Sequence, residues 1–361
     1  MAPGTSATVT TTTARTPKVL GRLGAVCAER GLRHVGDRLL ELQQWIAGDL
    51  AAFESLFGEL PRESSAAHKS AHHLLDLGGK HLRPICVALA AKLGTGFGEA
   101  ARELAVAIEL IHNASLLHDD VIDMGQHRRG APTARTIYGN SASVIGGNWL
   151  LVSALLRLSR AGVPGVLGEA LETLDEMVAA EALQLDRRGA VQPSRADYFR
   201  VVNGKTASLF RLAMFGGARA GDLPDGQCRA LARYGGNVGI AFQLVDDLLD
   251  YTGDPAAMGK TPFTDLREGK MTYPLLLALE RDPSLRQVVE KILERPEDEP
   301  LPRRTASRVL ATVVSAGCVR DCLALARRKA VAAVACLEAI PSGPGRTALA
   351  TLAEAVVHRD G

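Results

Sequence analysis

Aromatic side chains are scarce in this chain of 361 residues, where phenylalanine, tyrosine and tryptophan together make up 4%. β-Branched alternation is nearly absent after the first twenty residues, while alanine and leucine dominate. A sheet needs period-two runs of such residues, so their lack excludes a β-rich fold and predicts an all-α chain. No run of 18 apolar residues occurs, and no transmembrane span is predicted. Charge is nearly balanced at a formal +2, which gives no electrostatic reason to expect nucleic acid. The six cysteines, Cys27, Cys86, Cys228, Cys318, Cys322 and Cys336, contain no Cys-x-x-Cys pair. They read as reduced core residues, with a metal or redox role for Cys318 and Cys322, which share a helix face, as the alternative. A cytoplasmic location is the matching expectation.

Acidic residues are missing before Glu29, while Arg15, Lys18 and Arg22 stand in or beside a Thr/Ser-rich stretch. A transit peptide or a plain disordered tail has that composition. No arginine-rich amphipathic helix is evident, so residues 1–36 read as a disordered tail and lead-in. From about Asp37 a helical period sets in with Leu39, Leu40, Leu42, Trp45 and Ile46, and it persists to the C-terminus between short Gly/Pro loops. No composition shift interrupts it. Residues 37–361 therefore read as one all-α domain of some dozen helices, long enough for a sizeable core.

What is present is organised around Ser115-Leu-Leu-His-Asp-Asp-Val-Ile-Asp123, three aspartates in an apolar run. Asp119 and Asp123 share one helix face, with Asp120 turned about 100° away. The pattern returns in Ala241-Phe-Gln-Leu-Val-Asp-Asp-Leu-Leu-Asp250. A solvated face would mix lysine and glutamate with the aspartates, whereas these neighbours belong in a core. Buried carboxylates need cations. Hard oxygen donors without a histidine or cysteine array select Mg2+, which shares its shell with phosphate oxygens, so Asp119, Asp120, Asp123, Asp246, Asp247 and Asp250 are candidate metal ligands and a phosphate ligand is implied.

Cations to meet that phosphate are spread through the sequence. Gly78-Gly-Lys-His-Leu-Arg-Pro84 is a glycine turn offering Lys80 and Arg83, or an ordinary helix end. Arg128-Arg129-Gly130 follows the first aspartate motif, and its two guanidiniums can point to different anions. Gly204-Lys-Thr206 is read as opening a helix whose free N–H groups, with Lys205 and Thr206, suit phosphate. It lacks the upstream glycines of a nucleoside-triphosphate loop. Lys260 and Lys270, each after a glycine in the long loop beyond Asp250, add movable cations to a segment able to close over a site.

Taken in order, Gly-Gly-Lys-x-x-Arg-Pro, Asp-Asp-x-x-Asp with Arg-Arg-Gly, Gly-Lys-Thr, Phe-Gln-x-x-Asp-Asp-x-x-Asp and Gly-Lys resemble the trans-isoprenyl diphosphate synthase (polyprenyl synthetase) family over roughly residues 40–355. The resemblance implies a single-domain orthogonal helical bundle of the isoprenoid synthase type around a deep central cavity, a homodimer, and three Mg2+ ions per active site. It assigns allylic-diphosphate contacts to Arg128, Lys205, Thr206, Gln243 and Lys260, and isopentenyl-diphosphate contacts to Lys80, Arg83, His112 and Arg129. Asp119, Asp123, Arg128, Lys205, Gln243, Asp246 and Lys260 then carry the catalysis, with Lys270 as a further substrate contact. The implied reaction condenses isopentenyl diphosphate with an allylic diphosphate, the departing diphosphate taking the proton. Two positions depart from the family pattern. His81 stands where arginine is common, which bears on isopentenyl diphosphate affinity, and Asn148 stands where aspartate is common, which bears on pocket shape.

One turn before Asp119, Ala114 and Ser115 are small where short-product synthases carry an aromatic residue, so a product beyond fifteen carbons is expected. Leu110, Ile111 and Trp149 are candidate floors of the chain-length pocket. Small residues on a helix serve close packing equally well. Peripheral membrane contact is the most that release of such a product would require. The rivals are a class I terpene cyclase, which needs an Asn/Asp-Ser/Thr-Glu second motif, and an inactive or regulatory subunit of a heteromeric synthase, which usually loses motif aspartates. This chain repeats the aspartate motif and keeps all six.

Overall fold

The computed structural model describes residues 19–191, 194–253, 263–295, 299 and 301–359. Helices make up nearly all of its regular structure, as composition predicts. Among the described residues the strands are His127–Arg128 and Ala131–Pro132, an antiparallel ribbon that turns back the segment after the first aspartate motif.

The domain begins earlier than its sequence suggests. Helices α1 (Val19–Glu29) and α2 (Arg33–Trp45) cross closely, with Leu20, Leu23, Cys27, Val35 and Leu39 buried between them and the rest of the core. A Cβ on Gly36 would lie 2.7 Å from the Gly24 carbonyl oxygen, so the crossing requires glycine there. Placing residues 19–36 in a disordered lead-in is therefore corrected. The stripe of Leu20, Leu23 and Cys27 has helical spacing, but its Thr/Ser-rich neighbour conceals it. The Thr/Ser-rich stretch itself, residues 1–18, lies outside the described residues.

After α3 (Ala47–Gly58) come α4 (Ala66–Asp76), α5 (Leu82–Ala91), α6 (Glu99–Ile122), the short α7 (Ala134–Tyr138), α8 (Asn140–Ala161) and α9 (Val166–Asp186). They are followed by α10 (Arg195–Val202), α11 (Ser208–Ala220) and α12 (Asp225–Thr252). Helix α6 buries Leu104, Ile108, Leu110 and Leu117, and α12 buries Leu231, Val238, Leu244 and Leu248. Between them α11 packs on α12, α5 and α6 at once. The Tyr234 hydroxyl donates to the Leu349 carbonyl at 2.7 Å and ties α12 to the C-terminal helix Pro344–Val356.

Helix α8 is long and apolar enough to cross a membrane by length and composition. No span was predicted, because Asn140, Asn148 and Arg157 interrupt its apolar run. In the fold it lies along α6, burying Gly146, Leu150, Ala154 and Leu158, and leaves Ile145, Val152 and Leu156 exposed.

Replacing Gly36 with leucine should lower unfolding free energy by about 1–3 kcal/mol, since the crossing has no room for a side chain. Urea denaturation of Gly36→Leu checks this. An unchanged midpoint would detach α1 from the cooperative unit.

Candidate active site

Asp119 and Asp120 stand in the last turn of α6, and Asp123 caps it, its N–H donating to the Asp119 carbonyl at 2.8 Å. The second motif likewise falls near the C-terminus of α12. A helix C-terminus carries partial negative charge, so both motifs add carboxylates where the backbone already repels them. Cations answer each motif. Lys205 Nζ lies 3.3 Å from Asp119, Arg128 Nε 2.8 Å from Asp120, and Arg359 Nη2 3.1 Å from Asp246. Asp123 is held by Lys270 Nζ at 2.6 Å and by the Arg188 guanidinium.

These contacts set the acidities. Burial raises Asp123, but Lys270, Lys205 and Arg188 outweigh it and hold the carboxyl below its ordinary value. At Asp120 burial prevails over Arg128 and the net shift is upward. Asp247, 2% exposed, is pushed up to about 7 by burial and by the neighbouring Asp265. It accepts hydrogen bonds from the Tyr198 hydroxyl at 2.6 Å and from Gln243 Nε2 at 2.7 Å. The sixth aspartate, Asp250, is also buried and accepts from the Asp265 N–H at 3.4 Å.

Lys205 and Thr206 reach the site differently from the expectation. Asn203–Ala207 is a π-helical turn joining α10 to α11 without a break, so no helix begins there and no free N–H groups face a phosphate. A Cβ on Gly204 would come within 2.5 Å of the Glu176 carbonyl oxygen on α9, and the wide turn brings the backbone that close. The side chains still converge as foreseen. Lys205 bonds Glu181 and Gln184 of α9, and the Thr206 hydroxyl donates to Gln243 Oε1 at 2.8 Å. With Tyr198, Asp247, Asp265 and Lys270 they line a cavity of about 170 Å³.

A second basic group lies apart from this cavity. Lys80 is exposed on the turn before α5, and Arg83 is half-buried with its guanidinium 4.7 Å from the Phe210 ring centroid. Arg83 Nε has no partner among the described residues. Burial, reinforced by Arg83, pushes His112 well below the ordinary imidazole value, so it faces the group as a neutral ring. Desolvation also lowers Lys80, and Arg359 adds to this while Asp246 opposes it, which sets Lys80 near the second aspartate motif.

Lys270 is bound between Asp123 and Glu268, 2.7 Å away, and in this state is a counterion rather than a movable substrate contact. Lys260 lies outside the described residues. Leu110, Ile111 and Ala114 are buried on α6, and the half-buried Ser115 donates its hydroxyl to the His112 carbonyl at 2.8 Å. Trp149 is half-buried on α8. Helices α6 and α8 run antiparallel, with His118 against the Val144 carbonyl and Arg157 against Glu103, which puts Trp149 level with about residue 112, the depth of Ile111. Its ring packs on His68 and His72 of α4, centroids 4.4 and 5.7 Å away. Asn148 is exposed on the outer face of α8, so that departure does not shape the cavity.

Sequence reasoning missed Arg188, Arg359, Tyr198 and Glu181. Arg188 was findable, because Arg187-Arg188-Gly189 repeats the look of Arg128-Arg129-Gly130. Nothing local marks the other three.

The polyprenyl synthetase family model matches residues 64–306. The chain belongs to the polyprenyl synthetase family. Among its relatives, the octaprenyl diphosphate synthase of Escherichia coli is 34% identical over 325 residues, covering 89% of this chain and 99% of that one. The nonaprenyl diphosphate synthase of Mycobacterium tuberculosis is 35% identical over 84% of this chain and 90% of its own length. A polyprenyl synthase of Caulobacter crescentus, crystallised with calcium and isoprenyl diphosphate, superposes with a TM-score of 0.83 at 34% identity, covering 90% of this chain and 98% of that one. Like other polyprenyl synthetases this is an all-α transferase, and the implied fold is the observed one.

Mg2+ was inferred from the sequence, and its test is whether the residues suit it. Among the described residues no three carboxylates or other donors converge as a ready-made ion site. The donor chemistry nevertheless fits, since both motifs offer hard oxygens, and at the first Lys205 and Lys270 now supply the charge that divalent ions would bring.

Because the Asp247 carboxyl titrates near 7 when folded and near ~4 when unfolded, it favours folding below both values and loses that contribution as pH rises through about 7. Metal-free Asp247→Asn should therefore melt higher than wild type at pH 8, the two converging as pH falls toward ~4. Thermal unfolding without metal checks this, and a difference independent of pH would contradict it.

Proposed function

We propose that this protein condenses isopentenyl diphosphate with an allylic prenyl diphosphate, head to tail, and releases a trans-polyprenyl diphosphate longer than fifteen carbons. The observation that carries the reading is the division of cations into two groups, one interleaved with the aspartates and one around Arg83, as two diphosphates would require. Octaprenyl and nonaprenyl diphosphate synthases among the relatives support the length.

Mg2+, three ions per site by family likeness, would be held by Asp119, Asp120 and Asp123 on one side and Asp246, Asp247 and Asp250 on the other, where it neutralises a leaving diphosphate. The chain's own groups do the rest. Lys205, Arg128 and Lys270 lie within reach of the same carboxylates and can turn to the diphosphate as negative charge develops on its bridging oxygen. Thr206 and Gln243, bonded to each other, orient that end. Lys80, Arg83 and Arg129 seat the second diphosphate so that its double bond faces the allylic carbon, and positioning supplies much of the rate. As the allylic C–O bond breaks and the new C–C bond forms, the proton lost beside the new bond passes to the departing diphosphate.

We further propose a homodimer joined through α8 and α9. Ile145, Val152 and Leu156 on α8 and Leu171, Val178 and Leu185 on α9 are large apolar side chains left exposed, the latter three at intervals of seven. Such a stripe suits a two-fold partner. Glu181, on the flank of that stripe, and Gln184, farther round α9, bond Lys205 in the active site. Cytoplasmic location, with at most peripheral membrane contact during product release and no nucleic-acid partner, completes the proposal.

Incubating the protein with Mg2+, isopentenyl diphosphate and allylic primers of increasing length should give dephosphorylated products beyond fifteen carbons, and Ala114→Tyr should shorten them. Products stopping at fifteen carbons in the wild type would refute the length, and absence of incorporation would refute the activity. Asp123→Asn should lower kcat by about 10²–10³-fold. Leu171→Glu with Val178→Glu should halve the mass in sedimentation; a wild-type monomer would rule out the dimer.

A further inference from the structure

Beneath the turn that carries Lys80, a glutamate is buried in the midst of cations. Glu109 is 2% exposed on α6. Its Oε1 accepts from His81 Nδ1 at 3.2 Å and from Asn113 Nδ2 at 3.4 Å. Arg83 and Arg129 both act on it electrostatically. Burial opposes its charge, yet the His81 hydrogen bond and charge, with Arg83, hold the carboxyl at about 2, so it is ionised at working pH. A Cβ on Gly79 would lie 3.4 Å from Arg129 Nη2, 3.5 Å from Glu109 Oε1 and 3.6 Å from His81 Cε1, which shows how tightly these groups gather under the turn.

His81 is fixed from every side. Its backbone is left-handed, with φ of 46°. Its ring lies against Phe53 and Phe57 of α3, centroids 5.3 and 5.8 Å away, and its Nδ1–H points to Glu109. The charged groups facing it are Glu109 from α6 and Glu54 from α3. A side chain so held is committed to the protein and is not free to take a diphosphate oxygen.

We propose that Glu109 is the positioning residue of the basic subsite: through His81 it fixes the Gly78–Arg83 turn, and through its charge it orients Arg83 and Arg129 toward the second diphosphate. This rests on the reading that isopentenyl diphosphate binds there. His81, at a position where arginine is common, then acts as the anchor of that turn and not as a ligand. The arrangement also accounts for Arg83 keeping Nε unpartnered, a directional donor left over for an anion.

Steady-state kinetics with both substrates varied separately would test it. Glu109→Gln keeps the shape and removes the charge, and it should raise KM for isopentenyl diphosphate about tenfold or more, the scale of one charged hydrogen bond. KM for the allylic substrate and kcat should stay within about twofold. Should Glu109→Gln fail to fold, the His81 pair decides. His81→Gln retains a donor for the carboxylate and should keep KM for isopentenyl diphosphate within about threefold, whereas His81→Leu, with the same backbone cost, should raise it about tenfold. Equal losses in Gln and Leu variants, or an effect on kcat alone, would overturn the proposal. Lys80→Ala separates the two levels of the argument. If it leaves that KM unchanged, the subsite reading fails and the positioning role with it. If it raises KM while Glu109→Gln does not, the positioning role alone is wrong.

Discussion

Two helices end in carboxylates, and the rest of the site exists to make that tolerable. Backbone dipoles put negative charge at the C-termini of α6 and α12, the aspartates add more, and Asp120, Asp123, Asp247 and Asp250 are buried away from water. Each unpaired buried charge would cost several kcal/mol. The fold meets this by drawing cations from five other places: the ribbon after α6, the end of α9, the π-turn, the segment beyond α12 that carries Lys270, and the far C-terminus. Elements far apart in sequence are thus held together by charge compensation as well as by the apolar core.

That compensation is internal and exchangeable. Lys205 and Lys270 lie on carboxylates whose chemistry suits a divalent ion, so an ion bound there would replace one set of positive charges with another. Lysines displaced in this way would be available to the diphosphate of the proposed reaction. Asp247 behaves differently. It is buried beside Tyr198 and Gln243 and near Asp265, with no cation in contact among the described residues, and it holds a proton to about 7.

The all-α architecture was legible because alanine, leucine and helical spacing dominate, and the aspartate motifs because acid in an apolar run is costly enough to demand a cause. Lys80, Arg83, Lys205 and Thr206 were legible as residues but not as geometry. A π-turn has no sequence signature comparable to a cap, so Gly204-Lys-Thr206 reads as a helix start. The depth of Trp149 was not legible, because it depends on the antiparallel register of α6 and α8, which only the pairing of His118 and Arg157 with their partners reveals. Glu109 and Arg359 were invisible. A single acid in an apolar helix and a single arginine near a chain end look ordinary until their neighbours in space are known.

The π-turn also has a bearing on how the two substrate seats are phased. Upstream of it α10 presents Tyr198 to Asp247; within it Lys205 faces Asp119; downstream α11 presents Phe210 to the Arg83 guanidinium. A continuous helix carries all three, with one wide turn between them. Loss of a single residue there would rotate everything after it by about 100° and carry Phe210 away from Arg83. The relative orientation of donor and acceptor sites is therefore written in the length of one helix, where substitutions leave it alone and an insertion or deletion does not.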